Sequence, residues 1–356
     1  MSYIKLPKLP PKREEVETIE ILRQLSKSAN ALGELKGIAK TIPNQEMLIN
    51  AVVLQEAQDS SEIENIITTQ DEIYKALASN NQQESQVKEV INYRRAIFAG
   101  FNLIKKQGFL KLKDIEFIQE TIIENNAGIR ALPGTVLKND KTGETVYTPP
   151  QEKAEILDLL ADFLEHFNVQ QQDLNPLINL AILHYQFESI HPFYDGNGRT
   201  GRILNILYLI INDLLDIPIL YLSSYINEHK ADYYCLLNAV TTSNDWSAYI
   251  IYMLKAVEET ANRTIEKINS INVLLDETMI YAQEREPKVY RKEFIELLFE
   301  QPYCKIDFVV EKLQVERKAA ARYLKKMEAI GILNSQKLGR ETLYLNHKLL
   351  EILKKR

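Results

Sequence analysis

The residues best suited to chemistry lie in one run: His191, Pro192, Phe193, Tyr194, Asp195, Gly196, Asn197, Gly198, Arg199, Thr200, Gly201 and Arg202. Histidine titrates near neutral pH, so His191 can take a proton from an attacking group. Gly196 and Gly198 let the backbone turn tightly and bring N–H groups close to a bound anion. A glycine loop that opens a helix binds anions, because free N–H donors and the helix dipole point the same way. Arg199 and Arg202 stand three residues apart, so both reach the same end of one helix. Their guanidinium forks suit phosphate oxygens. Asp195 is a hard oxygen ligand beside that site, which suits Mg2+. A base, a metal ligand, an anion loop and two arginines together describe phosphoryl or nucleotidyl transfer to a hydroxyl. Each part alone is common in proteins, and their combination in one short run carries the reading.

The elements that must position this run are helical. An apolar helix over 180–190 leads in and another over 203–211 leads out. Pro192 and the glycines fit poorly inside a helix, so the run is a loop ending at a helix N-terminus. Pro7, Pro10 and Pro11 make the first dozen residues an extended arm. Helical spacing follows over 13–40, through Val16, Ile19, Leu22, Leu25, Leu32 and Leu35. Pro43 ends that segment and Asn44 can cap the next. Residues 45–79 read as one or two helices with a break near Ser60, and the polar run 79–86 as a loop. Further helices are expected over 87–107, 112–125, 152–168, 174–190, 199–215, 228–241 and 245–270. Between them, residues 128–150 differ: Thr, Val and Tyr flank a turn at 139–143, a hairpin signal. A lone hairpin among helices reads as a functional flap.

The run resembles the signature of the Fic (filamentation induced by cAMP) domain, H-P-F-x-[D/E]-G-N-G-R-x-x-R, with every fixed position present. The resemblance implies transfer of AMP from ATP onto a Ser, Thr or Tyr hydroxyl of a target protein or of the chain itself, releasing pyrophosphate. It implies that His191 deprotonates the hydroxyl and that Asp195 holds Mg2+. Gly196, Asn197 and Gly198 would cradle the α-phosphate, with Arg199 and Arg202 on the β- and γ-phosphates. Thr200 and Gly201 are counted with these nucleotide-binding residues. The related Doc kinases lack the second glycine and first arginine, so Gly198 and Arg199 favour AMP transfer. The hairpin at 135–148 sits where the family has its flap, with Val136, Leu137 and Lys138 nearest the nucleotide. There a target segment would pair as an added strand. Tyr233 and Tyr234 resemble the paired tyrosines of the adenine pocket, although ordinary helix packing explains them equally. The family often has Asn seven residues later, where this chain has Thr241.

Upstream, Ser60, Glu64 and Asn65 fit the family's inhibitory pattern, [S/T]-x-x-x-E-[G/N]. Four residues apart, Ser60 and Glu64 would share a helix face. The resemblance implies that Glu64 pairs with Arg202 and occupies the fork that ATP needs. The alternative is a helix start capped by Ser60. In some relatives the same Glu aligns water for AMP removal, so a de-AMPylase or another nucleotidyltransferase is an alternative activity.

Composition bounds the rest. The chain has 356 residues, 26% of them charged, and a net charge of −6. Residues 288–356 hold 16 Lys+Arg and 9 Asp+Glu, a net of +7, which leaves −13 for the remainder. That split suggests two modules with different partners. The basic tail reads as three helices and a hairpin turning at Gly339 and Arg340, a winged-helix-like module. Arg317, Lys318, Arg322, Lys325 and Lys326 crowd its third helix. DNA or a protein would be its partner, and a DNA-binding regulator using the other domain as a sensor is a further alternative. Cys235 and Cys304 exclude a disulfide framework and fit buried thiols in a reducing compartment. The first residues lack a signal-peptide core. The apolar stretch 203–222 is interrupted by Asn205, Asn212, Asp213, Asp216 and Pro218, which argues against a membrane span. The expectation is a cytoplasmic, mainly α protein: a Fic-type helical bundle with a β-hairpin flap and a C-terminal winged-helix-like domain. Residues 1–110 would carry the inhibitory motif, 111–270 the catalytic core and 285–356 the basic module. By analogy, a homodimer is expected.

Overall fold

A computed structural model describes residues 6–42, 45–79, 85–138, 142–169, 173–338 and 341–355. Pro43, Asn44, residues 80–84 of the polar run expected at 79–86, residues 139–141 of the turn expected at 139–143, and the expected turn residues 339–340 lie outside them. The elements run α1 (Arg13–Val16), α2 (Ile19–Ile38), α3 (Gln45–Ile63), α4 (Gln70–Ser79), α5 (Ser85–Gln107) and α6 (Leu112–Ile123). A hairpin of β1 (Leu137–Lys138) and β2 (Thr145–Tyr147) follows. Next come α7 (Lys153–Asn168), α8 (Pro176–Ile190), α9 (Asn197–Ile211), α10 (Leu222–Glu228), α11 (Lys230–Ser243) and α12 (Trp246–Arg285). The basic module comprises α13 (Lys292–Glu300), β3 (Tyr303–Cys304), α14 (Ile306–Leu313), α15 (Arg317–Ala329), β4 (Asn334–Leu338), β5 (Glu341–Leu345) and α16 (His347–Lys354).

Two helices form the centre. Asn175 caps α8 through Leu177 N–H at 2.9 Å, and Pro176 follows at the first helical position. Both α8 and α9 are buried nearly all round, as a helix at the middle of a bundle must be. Helices α5, α6, α7 and α12 enclose them. Among the described residues, no helix is long and apolar enough to cross a membrane.

The periodicity of α2 is real, but its inner face differs from the expected one. Ile19 and Leu22 are 70% and 45% exposed, whereas Ile21, Leu25, Leu32 and Leu35 are buried against α12. Ser28 fixes that register by donating to Leu254 O at 2.7 Å. The helix expected over 245–270 continues to Arg285, since no Gly or Pro interrupts it before Pro287. Cys304 is buried as expected, while Cys235 is exposed.

The tail shows the expected three helices and hairpin, with two additions. The short strand β3 pairs with β5, giving the antiparallel order β3-β5-β4, and α16 closes the chain. The module is joined to the body through α12, α3 and α4. Lys267 on α12 donates to Gln55 Oε1 at 3.2 Å and to Leu353 O at 3.4 Å. Gln70 donates to the same two acceptors, and Tyr303 donates to Asp71.

Candidate active site

The run 191–202 is held by contacts from four directions. Helix α8 ends at His191, whose N–H reaches Phe187 O in a left-handed cap, φ +48°. Phe193 is fully buried and anchors the turn. Asn197 clips it shut: its Oδ1 accepts from Phe193 N–H at 2.8 Å and its Nδ2 donates to Phe193 O at 2.9 Å. Gln119 on α6 donates to Asp195 O at 3.0 Å. Gly196 has φ +80°, and a β-carbon there would stand 2.8 Å from Ile123. Only glycine meets both demands. Helix α9 then starts at Asn197, so the N–H groups of its first turn lack intrahelical acceptors. Asn197 serves the loop with its side chain, which leaves its backbone N–H as the group that can face an anion. Thr200 is completely buried, with its N–H on Gly196 O.

Arg130, which the sequence reading passed over, is the main buttress. It is 1% exposed and donates to His191 O at 2.7 Å, to Ile190 O at 3.2 Å and to Pro150 O. Its own N–H reaches Pro192 O at 3.0 Å. One guanidinium therefore ties the His191 turn to the base of the hairpin. The available signal was a single arginine inside the turn-forming segment 128–134. Its acceptors are backbone carbonyls from distant segments, which leave no side-chain pattern. Burial, and then the Arg130 charge, push the His191 imidazole down to about 4. It is neutral at neutral pH and able to accept a proton.

The hairpin leans on the same loop. Tyr194 Oη accepts from Ala131 and Leu132 N–H at 3.0 and 3.2 Å, and Tyr147 donates to Ser189 O at 2.9 Å. Leu137 pairs with Tyr147 and Lys138 with Thr145, with an irregularity between them. Leu137 and Lys138 form the strand paired with the one carrying Tyr147, and Val136 precedes it, with Val136 and Lys138 exposed.

Arg202 is 3% exposed and fully engaged on one edge. Its Nε donates to Ser60 Oγ at 2.7 Å, and its Nη2 donates to Ser60 O at 3.0 Å and Glu64 Oε1 at 2.8 Å. The local geometry differs from the expected shared helix face. Helix α3 runs through Ser60, with neither a break nor a cap there, and ends at Ile63. Glu64 N–H then bonds Ser61 O, and Asn65 takes φ +62°, a conformation Asn tolerates better than most residues. Lys230 donates to Ile63 O at 2.5 Å and so caps the helix end. This tightened turn carries the Glu64 carboxylate over the anion loop, where a β-carbon on Gly198 would lie 2.6 Å from Glu64 Oε1. Burial works against the Glu64 charge, but the Arg202 guanidinium outweighs it and holds the carboxyl below its ordinary range. Burial likewise opposes the Arg202 charge, and Glu64 more than restores it.

Glu188 also faces this arginine, and Gly201 leaves room for it, because any β-carbon there would collide with its carboxylate. Burial pushes Glu188 up to about 7. Arg199 is 4% exposed, with its Nη1 on Glu89 Oε2 at 2.9 Å. Asp195 is largely exposed, and its Oδ1 accepts from Gly196 N–H at 2.6 Å. Among the described residues, no group of three or more His, Cys, Asp or Glu is arranged to hold a metal.

The two tyrosines have different surroundings. Tyr233 is 2% exposed and shares a hydrogen bond of 2.8 Å with His184 Nε2. His184 Nδ1 accepts from Asn205 at 3.0 Å, so Nε2 carries the proton and donates. Burial lowers His184 to about 3, which keeps it neutral. Tyr233 thus belongs to a buried polar network. Tyr234 is 47% exposed, with its ring edge-on to Tyr233. Thr241 bonds Tyr185 Oη at 2.9 Å.

Three comparisons bear on this arrangement. Residues 22–102 match the Fic/DOC family N-terminal model, 109–209 the Fic/DOC family model, and 256–349 the model described as protein adenylyltransferase SoFic-like, C-terminal domain. Protein adenylyltransferase fic-1 of Caenorhabditis briggsae is 32% identical over 142 residues, covering 38% of this chain and 26% of that protein. Protein adenylyltransferase Fic of Aedes aegypti is 25% identical over 212 residues, covering 57% and 40%. The chain thus spans well under half the length of these relatives. A Fic family protein from Desulfovibrio desulfuricans G20 has the same fold, with a TM-score of 0.59 at 18% identity over 95% of this chain and 98% of that one. A Fic-1 fragment from C. elegans gives 0.53 at 19% identity over 70% and 73%. With successive family models covering its N-terminal helices, the loop-bearing helices and the tail, the chain belongs to the Fic/DOC family.

Proposed function

We propose that this chain is a protein adenylyltransferase that moves AMP from ATP to a Ser, Thr or Tyr hydroxyl of a target protein or of itself, and that Glu64 holds it inactive. The observation that carries this reading is the Glu64 carboxylate, paired with Arg202 and lying over Gly198. A carboxylate in an anion loop stands where a phosphate would stand.

Neutral His191 takes the proton of the target hydroxyl. The hydroxyl oxygen forms a bond to the α-phosphorus, and the bond from that phosphorus to the β-phosphate oxygen breaks. Pyrophosphate leaves with the electron pair, toward Arg199, Arg202 and the first-turn N–H groups of α9. Asp195 fits Mg2+ through the chemistry of its donors, one exposed carboxylate beside an anion loop, since this ion is commonly held by one or two carboxylates plus phosphate oxygens. When bound with nucleotide it would neutralise phosphate charge. The segment Val136, Leu137 and Lys138, which includes β1, would align the target by main-chain pairing. Tyr234, the more exposed of the pair, would meet adenine, with the buried Tyr233 ring edge-on to it.

With α-labelled ATP, the Glu64→Gly protein should incorporate label, and adding His191→Ala should abolish it. Absence of label in the single variant would overturn the reading.

A second activity is proposed for the tail, on one observation. Lys318, Arg322 and Lys325 recur on the exposed face of α15, whereas Arg317 and Lys326 are paired with Asp307 and Glu286. Such a stripe fits DNA phosphates. Full-length protein should bind duplex DNA with affinity falling steeply with salt, and reversal of the three charges should remove that binding. Binding unaffected by the reversal, or no binding, would contradict it.

A further inference from the structure

The two arginines of the loop are held differently, and the difference assigns a role to Glu89. Arg202 has both Nε and Nη2 consumed by Ser60 and Glu64. Arg199 makes one close carboxylate contact, Nη1 to Glu89 on the first turns of α5, and one longer ion pair, Nη2 to Asp195. Its Nη2 is 3.7 Å from Asp195 Oδ1, and its buried Nε has no partner among the described residues. Glu89 therefore grips one corner of this guanidinium and leaves the rest facing the loop. Where Glu64 blocks, Glu89 has the geometry of a brace.

We infer that Glu89 is a positioning residue: it holds Arg199 ready for the terminal phosphates of ATP and keeps its pairing with Asp195 long. This rests on the proposed reading that Arg199 meets those phosphates. A nearly buried guanidinium must find a counter-charge. Without Glu89 the remaining carboxylate partner is Asp195, already paired at 3.7 Å, and tightening that pair into a direct hydrogen bond would draw both residues away from nucleotide and metal. With Glu89 present, the rotamer freedom of a long side chain is lost before the nucleotide arrives, so less is lost on binding. Glu89 does bring a negative charge near an anion site. Its single contact, at the corner away from Asp195, limits that cost while fixing the direction of the fork.

The test uses full-length protein carrying Glu64→Gly, to which Glu89→Ala or Glu89→Gln is added. Binding of a non-hydrolysable ATP analogue and of AMP is measured by titration calorimetry. Glu89→Ala should weaken the analogue by about tenfold and leave AMP unchanged, because AMP lacks the terminal phosphates. Glu89→Gln keeps an acceptor for Nη1 and should restore most of the affinity. In transfer assays the loss should appear in the KM for ATP, with little change in kcat. Tighter analogue binding or faster transfer in Glu89→Ala would make Glu89 a second blocker and overturn the inference. Equal losses for AMP and analogue would make it a fold residue and overturn it too. If the Glu64→Gly protein binds the analogue without transferring AMP, the adenylyltransferase reading fails, and the binding comparison still decides the role of Glu89.

Discussion

Glu64 Oε1 lies 2.8 Å from Arg202 Nη2 and fills the space where a β-carbon on Gly198 would stand, so one oxygen both pairs with the cation and covers the loop at its glycine. A side chain so placed competes for two of the features that a phosphate would need. The strength of that competition is set by the contacts Arg202 keeps when one is removed.

Ser60→Ala removes the acceptor of Arg202 Nε and leaves the Ser60 carbonyl and Glu64 in place. One hydrogen bond to a charged group is worth about 1.5–3 kcal/mol, less where relaxation compensates. AMP transfer should rise several-fold, short of the increase from removing Glu64 itself. Initial rates at fixed ATP check the order. A Ser60→Ala rate equal to wild type would show that its hydroxyl takes no part in the block.

Gly198→Ala offers a sharper separation. The new methyl would stand 2.6 Å from Glu64 Oε1 and 3.0 Å from Arg202 Nη1, so the Glu64 side chain must move. The methyl then occupies the approach to the loop in its place. This variant should remain inactive, and it should silence the Glu64→Gly protein when combined with it. Rates and analogue binding are the readouts. Activation of Gly198→Ala alone would mean that the loop backbone is not where phosphate binds.

Arg130→Met strips hydrogen bonds from the carbonyls of Pro150, Ile190 and His191. Unsatisfied buried carbonyls should cost about 2–4 kcal/mol in urea unfolding. In the Glu64→Gly background, kcat should fall with little change in ATP affinity, since the base is misplaced and the phosphate loop is intact. Wild-type kcat would remove Arg130 from the catalytic arrangement.

The pH dependence follows from His191. Its folded value is depressed to about 4 by burial and by Arg130, below the ordinary 6.5. The proton-accepting form therefore persists as pH falls and is lost only near pH 4. Glu64 raises His191 slightly, so its removal moves that limit no higher. The kcat/KM of the Glu64→Gly protein should stay flat on the acid side down to about pH 5. A limb near 6.5 would mean that the histidine is solvated in the active form.

Much of the site was legible because its residues are contiguous. Between His191 and Arg202, glycine spacing, one proline and the flanking apolar runs dictate a loop entering a helix; the observed helix starts earlier than expected, at Asn197, so Gly198 and Gly201 lie inside its first turns and not in the loop. The Glu64 pairing with Arg202 was legible only through resemblance. The expected route, a shared helix face, is replaced by a helix end that tightens after Ser60 and turns at Asn65. Arg130 and Glu89 were not legible. Each acts across a gap in sequence, Arg130 on backbone carbonyls and Glu89 on a buried arginine, so neither leaves a local spacing. The same limit explains Ile19 and Leu22: helical period fixes the pitch of α2, but α12 decides which face is inward.

The central claim is that Glu64 holds a competent adenylyltransferase off. Its most direct test is intact-mass analysis of full-length wild type and Glu64→Gly after incubation with Mg2+ and each nucleoside triphosphate, with and without candidate target proteins. The account predicts little or no addition in the wild type and clear addition of one or more AMP units by the variant, on itself or a target, at a rate at least about tenfold higher. A Glu64→Gly protein that binds ATP yet adds no nucleotide to itself or to any target would contradict it.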